Sequence, residues 1–408
     1  MVARWKDSVI RFLESIQDPE CGAAPSVKDG ALTLYGTCYS LLAMYYLGKS
    51  IIPTAEARNF VMAAQSPESG FFIGPELLGF EMRPGFIHTR EHLVLHQTCA
   101  VLPFCQEFSI LPASLSEAHQ FCDLTRLRQW MNERDFKFAW FEGNNILFIG
   151  QLLVYLRDVE KKPGAVEALK QWFDWLDRSA DPITGLWGTN GLCTPMEAVY
   201  GGYHQLLVYY YENHPLPNAY GLVDTVLALQ HDDGGFNPNG NSGACEDVDA
   251  VDILVNCYKR IDYRRTEIRH ALRRCLVHIL STQNPDGGFP YNRNQEQSHM
   301  GIPATEAAPN VSCTFPTWFR IHTLALIAEV LPNDPAFSGV TFRFNKALSM
   351  GWHVSPQGWV PESDEVTLAE QILKARIKIR RLGQLPKLGV RLVSQFSRKH
   401  LLNRPLRP

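Results

Sequence analysis

None of the ten cysteines forms a Cys-x-x-Cys pair, and several of them (Cys38, Cys257, Cys275) lie inside apolar stretches. This spacing excludes zinc-ribbon and thiol-redox motifs and reads as reduced core residues of a cytoplasmic protein. No run of about 18 apolar residues occurs, so no membrane-spanning helix is expected. The first seven residues begin a charged amphipathic helix and lack the apolar core of a secretory signal. No Gly-rich phosphate loop, dinucleotide fingerprint or nucleophile-elbow serine is present. Acid is missing from one whole region: residues 371 to 408 contain neither Asp nor Glu, but eleven of the chain's 39 Lys and Arg. The other 28 basic residues share the rest of the chain with all 42 acidic ones. An acidic body with a basic tail argues against a nucleic-acid-binding core.

What the chain does have is a repeated phrase. Gln230-His231-Asp232-Asp233-Gly234-Gly235-Phe236 recurs 53 residues later as Gln283-Asn284-Pro285-Asp286-Gly287-Gly288-Phe289. A helical run ends in Gln, the following Pro, Asp and Gly residues forbid its continuation, and an aromatic returns under the turn. Weaker copies occupy 16–22, 64–72, 176–188 and 350–359, and the most degraded lies around 130–140. A period near 50 residues holds two helices and two connections, which makes stacked helical units. The second helix of each unit, at 33–47, 91–105, 144–157, 196–211, 246–259 and 317–331, is apolar all round and therefore buried. The first helices, such as 264–280, carry one charged face. The expected fold is all-α: about six helix pairs closed into an α/α toroid over 1–362, with a basic helical arm at 363–408. An open solenoid would need polar capping helices, and none is evident. Closure brings the polar inner-helix starts to one mouth: Thr37, His92, Asn144 with Asn145, Glu197, Glu246 with Asp247 and Asp249, and Arg320 with His322.

The densest acidic cluster, Glu246-Asp247-Val248-Asp249-Ala250-Val251-Asp252, lies between the two clear phrases. Glu246, Asp249 and Asp252 are spaced by three and share a helix face. Clustered carboxylates raise one another's pKa, so one of them is held protonated. The alternative is an acidic first turn that complements the helix dipole, worth roughly 0.3–1 kcal/mol per carboxylate. Four carboxylates in seven residues exceed what capping needs.

The Gln-x-x-Asp-Gly-Gly-Phe phrases resemble the QW repeats of squalene-hopene and related triterpene cyclases, a repeat shared with protein prenyltransferase β subunits. The resemblance implies the toroid and an Asp-x-Asp-Asp acid motif whose middle Asp protonates an alkene or epoxide. Asp249 takes that middle position and Asp247 the first; Ala250 replaces the last Asp. The prenyltransferase zinc site is not implied, because Gly36 stands in the place of its His and Asp249 in the place of its Cys.

Other constellations are weaker. His88-Thr89-Arg90-Glu91-His92, continued by His96, matches a zinc-peptidase pattern, but Pro84-Gly85 put His88 in a loop and the repeat is wrong for that fold. No metal and no cofactor is expected. His204 and His299 are lone histidines. The connection 290–316 is long and rich in Asn and Gln, as a lid, a binding loop or a plain insertion would be. The basic apolar tail suits an anionic membrane surface or the acidic body of its own toroid.

The leading expectation is a terpene cyclase-like enzyme acting on an isoprenoid or other lipid. It is cytoplasmic, or peripheral to the membrane through its tail. Asp249 is the proton donor, Asp247, Asp252 and Glu246 form its electrostatic setting, and Tyr200, Phe148, Trp318 and His322 line the cavity. The alternatives are a carbohydrate-active toroid with paired carboxylates and a non-catalytic scaffold.

Overall fold

The computed structural model describes residues 4–81 and 87–353. The basic arm expected at 363–408 and the end of the last phrase lie outside these residues. So does Pro84-Gly85.

Six inner helices form a closed ring: α2 (Leu34–Tyr46), α4 (Arg90–Glu107), α6 (Ala139–Asp158), α8 (Pro195–Tyr211), α10 (Ala244–Arg260) and α12 (Thr314–Val330). Each packs on the next in that order, and α12 packs back on α2. Six outer helices surround them: α1 (Arg4–Ser15), α3 (Ala55–Ala63), α5 (Leu124–Asn132), α7 (Ala165–Ser179), α9 (Ala219–Leu227) and α11 (Arg265–Ser281). The all-α reading holds, and among the described residues the only β pairing is isolated bridges. The inner helices are buried on nearly every face, as their uniform apolarity requires. The outer α1 and α7 bury one stripe each.

The repeated phrase closes the ring. The Gln230 side-chain amide donates to the Gly234 carbonyl of its own turn (2.9 Å) and to the Ala271 carbonyl in the next outer helix (2.8 Å). Gln283 does the same with Gly287 (2.9 Å) and with Trp5 in α1 (3.1 Å), joining the last outer helix to the first across 278 residues. Gln65 bridges Gly70 and Ala113 in the same way. Gly287 has φ +99°, and a β-carbon there would run into the Ser8 carbonyl of α1, so only glycine fits. The phrase is thus a clamp between neighbouring units as well as a turn.

The aromatic or small residue after four of these turns hands its backbone N–H to a polar side chain on an inner helix. Ala24, Phe72 and Phe289 donate to Thr37, Thr98 and Thr317, each at 3.0 Å. Phe236 donates to Asp247 at 2.9 Å. Asp247 therefore occupies a position that threonine fills in three other units. The helix-start residues diverge accordingly: Thr37 and Asp247 serve the fold, while His92, Asn144, Glu197 and Asp249 reach one cavity.

Candidate active site

The cavity lies inside the ring and has a volume of about 540 Å³. Its walls come from α4 (His92, His96), α6 (Trp140, Phe141, Asn144), α8 (Glu197, His204), α10 (Cys245, Asp249), α12 (Phe315, Phe319) and the connection after α11 (Tyr291 to Met300). The long polar connection is therefore a wall of the cavity. In a ring of six, α4 stands opposite α10, so His92 and His96 face Asp249 across the space.

Asp249 is 1 % exposed, and neither carboxyl oxygen has a hydrogen-bond partner among the described residues. Burial, reinforced by Glu246, Asp252 and Asp247, pushes its pKa well above the ordinary carboxylate range, so it is a neutral acid. The neighbouring carboxylates do different work. Asp247 forms a fully buried ion pair with Arg320, and the same guanidinium donates to the carbonyls of Ser242 (2.9 Å) and Tyr291 (3.1 Å). Arg320 thus anchors the start of the loop wall. Glu246 accepts from the Gly243 backbone N–H at the start of α10 and from Asn237 (3.1 Å); burial raises its pKa. Asp252, one turn further along α10, accepts from Asn256 (3.0 Å).

Burial raises the Asp252 pKa to about 7, against the lowering pull of Lys259, Asn256 and Arg260. In the unfolded chain an Asp titrates at about 3.9. The native state therefore keeps a proton that the unfolded state loses between those values, and wild-type stability falls as pH rises through that window. Asp252→Asn removes the effect. Its stability relative to wild type should rise by about 4 kcal/mol from pH 4 to pH 8, three pKa units at 1.36 kcal/mol each. Urea unfolding at the two pH values measures it, and an equal difference at both would refute it.

The histidines are the part sequence reasoning undervalued. Burial drives His92 and His299 to about 3 and His88 and His204 to about 4; it drives His96 well below the ordinary imidazole value. All five are neutral at pH 7. Two tautomers are set by their partners. His204 Nδ1–H donates to the Tyr200 carbonyl at 2.7 Å, which leaves Nε2 as a lone pair. His92 Nδ1–H donates to Asn145 Oδ1 (2.8 Å), because the Asn145 amide is itself committed to Glu142 (3.2 Å), which Arg134 holds (3.0 Å). The only sequence signal was the run at 88, 92 and 96; His204 and His299 come from distant segments. Tyr291, Phe315 and the relay Arg134–Glu142–Asn145 carried no signal. Among the described residues no three His, Cys, Asp or Glu side chains form a group able to hold a metal ion. A side chain at Gly36 would strike the backbone of residues 24 and 25, so that position cannot supply a ligand.

The expected lining aromatics stand one layer back. Phe148 backs the rings of His92 (5.5 Å) and His96 (5.4 Å). Tyr200 packs on Trp140 (4.8 Å) and donates its hydroxyl to the Phe236 carbonyl (2.9 Å). Trp318 stacks on Tyr39 at 4.7 Å, and His322 lies fully buried beside Trp318 and Tyr46. None of the four is among the residues that line the cavity.

The family that the sequence matches agrees with this architecture. A family described as the prenyltransferase alpha-alpha toroid domain matches residues 2–87 and 146–308, more than half of the chain. No curated protein matches the chain. Among solved structures, a polysaccharide lyase aligns with a TM-score of 0.44 and 14% identity, over 81% of this chain and 98% of that one. No helix among the described residues is long and apolar enough to cross a membrane.

Proposed function

The chain belongs to the prenyltransferase alpha-alpha toroid family, and on that premise we propose that it is a terpene cyclase-like enzyme that starts its reaction by protonating an alkene or epoxide of an isoprenoid lipid. One observation carries the reading: a neutral carboxylic acid, Asp249, whose two oxygens have no hydrogen-bond partner among the described residues, at a cavity lined by Trp140, Phe141, Tyr291, Phe315 and Phe319.

The Asp249 O–H bond breaks as a C–H bond forms on the terminal alkene carbon, or an O–H bond on the epoxide oxygen. Loss of the alkene π pair, or cleavage of a C–O bond of the protonated epoxide, leaves a carbocation, which the next double bonds attack in turn. The aromatic faces stabilise that cation, and a desolvated site strengthens the attraction. A proton must finally leave the cation, and the bare Nε2 atoms of neutral His92 and His204 are placed to take it. Atoms balance as an isomerisation. The buried acid and the neutral imidazoles are complementary: the site holds its donor protonated and its acceptors unprotonated at one pH.

The test is incubation with squalene, farnesyl diphosphate, geranylgeranyl diphosphate and their terminal epoxides, with product analysis by mass spectrometry. A cyclised isomer of one of them is the expected result. A second reading rests on Glu197, whose carboxyl shares the cavity with Asp249 and whose pKa burial also raises. Two carboxyl groups and a polar wall of Asn292, Gln295 and Gln297 suit a glycan. Cleavage of oligosaccharides with no turnover of any isoprenoid would replace the first reading by the second.

A further inference from the structure

After it has donated, Asp249 is a carboxylate that must regain a proton, yet it is 1 % exposed and faces a cavity occupied by an apolar product. The interior behind it is polar. Asp249, Asp252, Asn256 and Lys259 are spaced by three, four and three residues, so they lie on one stripe of α10. They run about 15 Å from the cavity to the other end of the ring, at 1.5 Å per residue. All four are buried.

Many polar atoms along this stripe have no hydrogen-bond partner among the described residues. They are both oxygens of Asp249, Asp252 Oδ2 and the hydroxyls of Tyr203 and Tyr210. Glu329 Oε2 and both ring nitrogens of His322 are in the same state. Tyr203 is in electrostatic reach of Asp249 and Asp252, and Tyr210 of Asp252. Buried polar atoms without protein partners are where ordered water sits. At the far end Lys259 Nζ lies 4.0 Å from Glu329 and touches the His353 ring. Glu329 is 22% exposed and lines a surface cleft of about 470 Å³ with Arg265, Arg269, Arg273 and Asp334. The file therefore begins at a carboxyl that needs a proton and ends at one that meets solvent.

We propose that this file of buried side chains along α10 is a proton path that reloads Asp249 from the surface cleft at the end of the toroid opposite the cavity. Asp252 passes its proton to the Asp249 carboxylate. The Lys259 ammonium restores Asp252 through intervening water and the tyrosine hydroxyls. Glu329 restores Lys259, and solvent restores Glu329. One proton enters, the proton that His92 or His204 took from the product cation leaves to solvent at the cavity mouth, and every carrier returns to its starting state. Burial raises the pKa of Asp252 and lowers that of Lys259, which brings the two closer together and favours relay between them. The need for reloading rests on the proton-donor reading of Asp249, but the path is measurable without any substrate.

The experiment is hydrogen–deuterium exchange of the Asp249 carboxyl in the full-length protein. Its infrared C=O band is assigned by subtraction of the Asp249→Asn spectrum and followed after transfer into deuterated buffer. In Asp252→Asn and Lys259→Met, exchange should slow by about ten-fold or more, equivalent to about 1.4 kcal/mol on the barrier, with thermal midpoints confirming that both variants fold. Exchange at the wild-type rate in both folded variants would overturn the path and show that Asp249 reloads through the cavity mouth. If a substrate is in hand, Lys259→Met should keep the first turnover per enzyme and slow the later ones. Slow exchange in the variants together with no cyclised product from wild type would leave the path standing and refute the cyclase reading instead.

Discussion

Asp249→Asn is expected to lower turnover of the isoprenoid substrate proposed above by about 10³-fold or more, the upper range for loss of a positioned general acid, while leaving the fold intact. The two parts of this result are linked. A protonated carboxyl and a carboxamide are both neutral and nearly equal in shape, so the exchange costs little where the acid is already held protonated. At pH 7 the urea midpoint should move by less than about 1 kcal/mol equivalent. An amide has no acidic proton to give, and the other carboxyl groups cannot replace it. Asp247 is held by Arg320, Glu246 by the Gly243 backbone, and Asp252 sits a turn away. Wild-type turnover by a folded Asp249→Asn protein would remove Asp249 from the chemistry.

Asp247→Asn should do the opposite. It strips the partner from Arg320, which is 0% exposed. Breaking a buried pair by deleting one side costs about 3–5 kcal/mol, because an uncompensated charge stays inside. The loss should spread to the cavity, since Arg320 also holds the Ser242 and Tyr291 carbonyls. Three other units place threonine where Asp247 stands. The double substitution Asp247→Thr with Arg320→Leu should therefore recover more than half of the lost stability, because it removes the charge together with its partner. Chemical denaturation of the two proteins measures this. A single variant as stable as wild type but inactive would instead make Asp247 part of the reaction.

The contrast between two carboxylates two residues apart marks how far the chain could be read. The clamps were legible, because Gln, Pro or Asp, and Gly-Gly enforce a helix stop by local chemistry alone. Their partners were not: Gln283 reaches Trp5, and no local rule points across 278 residues. The inner helices were legible through their uniform apolarity, with boundaries displaced by a few residues where polar side chains such as Glu142 and Arg134 pair inside the turn. The acidic cluster was legible as a candidate site, yet residues 247 and 249 point to opposite sides of a helix, and spacing alone does not say which side is the cavity. The repeat decides it: Asp247 fills the threonine position that caps a turn, and Asp249 takes the inward one. The histidines were less legible, because burial, not residue type, makes them neutral.

By itself, the order of residues determined that this chain forms helix pairs, that they repeat near 50 residues and that one inner helix carries a dense group of acids, since each is a matter of neighbours within one or two turns. Ring closure decided the rest. It set the rotation of α10, placed α4 opposite it and gathered His92, His96, His204 and His299 from segments up to two hundred residues apart. It also sealed these side chains from bulk solvent. Only that seal turns an aspartate into a neutral acid and histidines into bare bases, because the cost of holding a charge depends on what surrounds it in space.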